Sequence, residues 1–99
     1  MSMSAQEAYD EIVAHIQQQG AEFSRWYSGI TEDIKDRLHG AHKVPEKNHW
    51  FIHRKCVNEE AARAVEKALL DNGCDGGDGG GDDDAVHVYA YLKTSITNP

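Results

Sequence analysis

A phenol, a bare backbone position and a guanidinium carry the first chemical signal in this chain. They lie in Trp26-Tyr27-Ser28-Gly29-Ile30-Thr31 and, ten positions after the tyrosine, at Arg37 of Lys35-Asp36-Arg37-Leu38. An aromatic strand that ends in a glycine turn and passes directly into a short helix sets Tyr27 and Arg37 together at one junction. A guanidinium there presents a planar fork suited to phosphate oxygens. Glu66 adds a carboxylate one turn after Ala62 and one turn before Leu69 and Leu70, at the border of a buried stripe where it can face a cleft. Taken singly, each has a plain reading: a solvated helix carboxylate, an exposed helix charge, a core aromatic with its hydroxyl at the surface.

The elements that must position these groups follow from local pattern. Ser4-Ala5-Gln6-Glu7 fits a capping box, and Ala8, Tyr9, Ile12, Val13 and Ile16 recur at helical spacing until Gly20, which predicts a helix over 4–19. A strand from Glu22 to Ile30 follows, and Thr31 is placed to cap a short helix bearing Ile34 and Leu38 and ended by Gly40. Residues 41–48 read as a connection and 49–57 as a second strand. Asn58 then caps a helix whose inner stripe is Ala61, Ala62, Val65, Leu69 and Leu70, ended by Gly73. Val86, Val88, Ala90 and Leu92 alternate with His87, Tyr89, Tyr91 and Lys93, predicting a third strand with one apolar and one polar-aromatic face. The expected fold is a single α+β domain over 1–99: a small, mainly antiparallel three-stranded sheet packed by about three helices. A glycine- and aspartate-rich loop spans 73–84, and a loose tail spans 94–99.

Composition bounds the function. A chain of 99 residues with 39% hydrophobic and 27% charged residues is an ordinary globular domain, and no apolar run approaches a membrane span. The N-terminal residues have neither the basic patch nor the apolar stretch of a secretory signal. Two cysteines, Cys56 and Cys74, lack metal-ligand spacing and are too few for a disulfide framework, so a reducing, cytoplasmic setting is expected. The formal net charge of −7 argues against generic nucleic-acid binding. The charge is uneven, however: Lys35, Arg37, Lys43, Lys47, Arg54 and Lys55 gather in the middle of the chain, which leaves room for a locally basic face.

Tyr27-Ser28-Gly29-Ile30-Thr31, then Asp33, Arg37 and Leu38, then the strand at 49–57 and Glu59-Glu60-Ala61-Ala62 leading to Glu66, together resemble the GIY-YIG nuclease family, particularly its small single-domain members. The resemblance covers roughly residues 24–72. In that family a tyrosine-x-glycine turn, an arginine ten residues on and a glutamate on a later helix form the active site. Two features depart from the family pattern. The family's first strand, with its own tyrosine, should precede Tyr27, where a helix stands instead; the C-terminal Val88-Tyr89-Ala90-Tyr91-Leu92-Lys93 is the nearest sequence to it. A circular permutation would let that strand fill the place, with Tyr91 (or Tyr89) supplying the phenol. The family's histidine or tyrosine one turn after the arginine falls on Ala41, and a bend at Gly40 would bring in His42.

The resemblance implies phosphodiester hydrolysis of DNA assisted by Mg²⁺ or Mn²⁺. Glu66 would ligate the ion. Arg37 would hold the scissile phosphate. Tyr27, helped by Tyr91 or by His42, would position or deprotonate the attacking water. The alternative is a catalytically inactive GIY-YIG-like module that binds a protein partner, which the net acidity favours. The aspartates at 75–84 have enough oxygens for Ca²⁺, but they lack the alternating ligands and terminal glutamate of an EF-hand and read more simply as a solvated connection.

Overall fold

Ser4 opens the first helix. Its hydroxyl accepts from the Glu7 amide at 3.2 Å while the Glu7 carboxylate accepts from the Ser4 amide at 3.1 Å, so two otherwise orphaned donors are satisfied together. The computed structural model describes residues 3–20, 22–33, 51–76 and 85–93. Helix α1 runs over Ala5–Gln18 and buries Ala8, Ile12 and Ile16. Gly20 follows with φ 119°, a left-handed conformation that side chains rarely adopt.

A short 3-10 turn at Phe23–Arg25 leads into strand β1, Trp26–Thr31. The expected strand thus begins later than Glu22, because the Arg25 amide donates to the Glu22 carbonyl at 3.0 Å and closes a 3-10 turn there. Strand β2 is Phe51–Lys55. Asn58 then caps helix α2, Glu59–Asp71, its side-chain oxygen accepting from the Ala61 amide at 2.8 Å. Gly73, with φ 114°, ends that helix, and β3 is His87–Leu92. The short helix expected after Thr31, the connection at 41–48 and the tail at 94–99 lie outside the described residues. So does the larger part of the acidic loop. Two α-helices therefore stand among the described residues, against about three expected.

The three strands form one antiparallel sheet in the order β1-β3-β2, so the C-terminal strand is the central one. Register divides the side chains between two faces. One face carries Trp26, Ser28 and Ile30 of β1, Val88 and Ala90 of β3 and Ile52 of β2. Both helices pack on it. With Ile12, Ile16, Val65 and Leu69 these residues make the main core, each fully buried aliphatic side chain contributing roughly 1.5–3 kcal/mol. The other face carries Tyr27, Gly29 and Thr31, then His87, Tyr89 and Tyr91, then Phe51, His53 and Lys55. The alternation read from 86–93 is thus realised, but its aromatic side is no open surface: Tyr89 and Tyr91 are both buried.

Both sheet edges receive a further short pairing. Asp75 lies parallel to β1, its amide donating to the Trp26 carbonyl at 2.8 Å and its carbonyl accepting from Ser28 at 2.9 Å. Met3 does the same for the end of β2, donating to the Lys55 carbonyl at 2.8 Å and accepting from Val57 at 2.9 Å. Blunting edges in this way protects a sheet from pairing with other chains. Among the described residues no helix is long and apolar enough to cross a membrane.

Candidate functional site on the tyrosine face

Tyr27 and Tyr91 meet. They are directly opposed in the β1–β3 register, and their rings stack with centroids 5.4 Å apart at 29°. Tyr89 and Tyr91 form a small cluster of their own, against which Tyr27 and Phe51 pack. Tyr27 keeps partial exposure, whereas Tyr91 is fully buried. Burial drives the Tyr91 phenol far above its ordinary pKa, and the neighbouring Tyr27, Tyr89 and Asp75 push in the same direction. Tyr91 therefore stays a protonated phenol, and of the two stacked tyrosines Tyr27 is the one that solvent reaches.

Glu66 sits elsewhere. It lies on α2, in the layer that covers the opposite face of the sheet. Its flank can nevertheless be traced. Leu70, one turn further on, crowds Gly76, where an added Cβ would meet Leu70 Cδ2 at 2.6 Å and the Ser28 carbonyl at 3.3 Å. That flank of α2 therefore overhangs the outer edge of β1, while Ala64 and Ala68 on the other flank line the groove toward α1. Glu66, on the same flank of α2 as Leu70, is thus separated from Tyr27 and Tyr91 by the sheet. Half-burial raises its pKa by desolvation, opposed by the Arg63 guanidinium; Arg63 itself pairs with Glu59 one turn back. Arg37 and His42 lie outside the described residues. Of the five expected site residues, then, Tyr27 and Tyr91 are brought together, whereas Glu66 lies across the sheet from them.

Three further groups share this face or its edge: Tyr89, expected as the alternative to Tyr91, and Asp75 and His87, to which no role at the tyrosines was expected. Tyr89 lies against Gly29, its register partner. Asp75 pairs with Lys93 at 3.3 Å beside the start of β1. At the far end of the same face, His87 stands between Thr31 and Lys55 with its Nδ1 buried and unpartnered; burial, then Lys55, lowers its pKa, so the ring is neutral at pH 7. The strand alternation places Tyr89 and His87 on this face, but their neighbours depend on a register between segments some sixty residues apart, which no local pattern encodes.

Among the described residues no group of three or more histidine, cysteine or acidic side chains converges as a metal cage. A single carboxylate suits a hard cation that keeps its waters and takes its remaining oxygens from a phosphate. Neither a scan against protein-family models nor searches of curated proteins and of solved structures return a match for this chain.

Proposed function

We propose that this chain is a metal-dependent nuclease domain of GIY-YIG type that hydrolyses phosphodiester bonds in DNA. The observation that supports the reading best is the stacked, in-register Tyr27–Tyr91 pair, which sets two phenols side by side as the reading requires. Tyr27, partly exposed, positions the attacking water; Tyr91, buried and protonated, holds the Tyr27 ring by stacking. Arg37 grips the scissile phosphate and offsets the charge that develops on it. His42 is the candidate for relaying the proton. Glu66 would hold Mg²⁺ or Mn²⁺, which when bound supplies positive charge against the phosphate oxygens. We assign the domain to the cytoplasm, where Cys56 and Cys74 remain free, buried thiols.

Nicking of supercoiled plasmid tests this. Nicking that requires Mg²⁺ or Mn²⁺ and is lost in folded Arg37→Ala and Glu66→Ala proteins is the expected result. Undiminished nicking in both variants would reject the site.

A second reading has its own observation. Tyr91 is sealed from solvent and Glu66 lies on the helix side of the sheet, as in a fold that keeps the family's frame and has lost its chemistry. Such a domain would bind a protein partner. Absence of cleavage on duplex and single-stranded DNA, with saturable binding of one purified protein, would favour it.

A further inference from the structure

Gly29 is not a turn residue. It lies inside β1, and its φ is not among the left-handed ones found at Gly20 and Gly73. What it lacks is room. An ideal Cβ at Gly29 would stand 2.5 Å from Tyr89 Oη, 2.7 Å from Cζ and 3.1 Å from Cε2. The ring of Tyr89 therefore reaches across from the central strand and lies where the side chain of residue 29 would be, between Tyr27 and Thr31 on the same face. A cross-strand aromatic covering a glycine is a known way to restore packing at a bare strand position.

We infer that Tyr89 is a positioning residue of the tyrosine site, and that residue 29 is glycine so that the Tyr89 ring can wall in Tyr27. Tyr91 stacks on Tyr27 from directly across the sheet, and Tyr89 closes the gap left along β1 by Gly29. With both neighbours in place, the Tyr27 ring cannot fold back along its own strand toward Thr31. The consequence for catalysis rests on the nuclease reading; the contact itself does not.

The test pairs two readouts on the full chain: ring-flip rates of Tyr27 by NMR with ¹³C-labelled tyrosine, and cleavage kinetics. Tyr89→Phe keeps the ring and should keep the Tyr27 flip slow. Gly29→Ala, which displaces the ring, and Tyr89→Leu, which removes it, should each speed the Tyr27 flip. Each should lower kcat on the order of tenfold to a hundredfold with KM unaltered, because the phenol is misplaced and not removed. The double variant should be no worse than either single change, since both act on one contact. An unchanged Tyr27 flip rate in Gly29→Ala overturns the assignment. If Tyr89→Leu does not fold, the contrast between Gly29→Ala and Tyr89→Phe decides alone. If the unmodified chain cleaves no DNA, the nuclease reading falls, and the ring-flip comparison by itself upholds or overturns the positioning role.

Discussion

Glu66 carries a carboxylate that burial pushes toward its protonated form, with Arg63 pulling the other way. Between the unfolded pKa and the raised folded one, the folded chain keeps a proton that the unfolded chain releases. Stability therefore falls as pH climbs through that window and levels off above it. Urea unfolding from below the ordinary glutamate pKa of about 4.3 up to neutrality should show this decline, and Glu66→Gln should flatten it. A steeper decline in the variant would mean that Glu66 is stabilised as an anion already. At this scale the sequence was readable where chemistry follows from local alternation: it put Tyr89 and Tyr91 on one face of the C-terminal strand and left open which of them meets Tyr27. Gly29 was misread as a turn because glycine serves both turns and close approaches, and only the register with Tyr89 separates the two.

At the scale of elements, the helices were legible because their ends are written in capping side chains. Ser4 with Glu7 and Asn58 with Ala61 do what their types dictate. The one-residue pairings of Met3 and Asp75 were not legible, since a single bridge has no periodicity to read. The pairing at Asp75 ties the end of α2 to the edge of β1, close to both Tyr27 and Gly76. Asp75→Pro removes the amide that donates to Trp26 and should destabilise the fold by roughly 0.5–1.5 kcal/mol. Asp75→Asn keeps that amide and loses a solvent-exposed pair with Lys93, for which a change between about 0 and 1 kcal/mol is expected. Denaturant midpoints at constant m-value measure both. Equal effects of the two substitutions would show that the charge, not the strand pairing, holds this edge.

For the molecule as a whole, the central position of β3 organises both faces of the sheet. A strand from the C-terminal end of the chain completes the sheet between two strands that precede it, and its alternation supplies core residues to one face and phenols to the other. The expectation of a small antiparallel sheet packed by helices was legible from periodicity and capping. The strand order was not, because nothing in β1 or β2 alone says which edge β3 takes. The two halves of the proposed site consequently come from opposite layers, Tyr27 from one face of the sheet and Glu66 from the helix on the other. They can serve a single phosphate only around the β1 edge. Paramagnetic broadening by Mn²⁺, recorded by NMR in the presence of thymidine 3′,5′-bisphosphate, measures whether they do. Signals of Tyr27 and Glu66 that broaden together, and recover in Glu66→Ala, are the predicted result. Broadening confined to the aspartates of 71–84 and untouched by Glu66→Ala would contradict it.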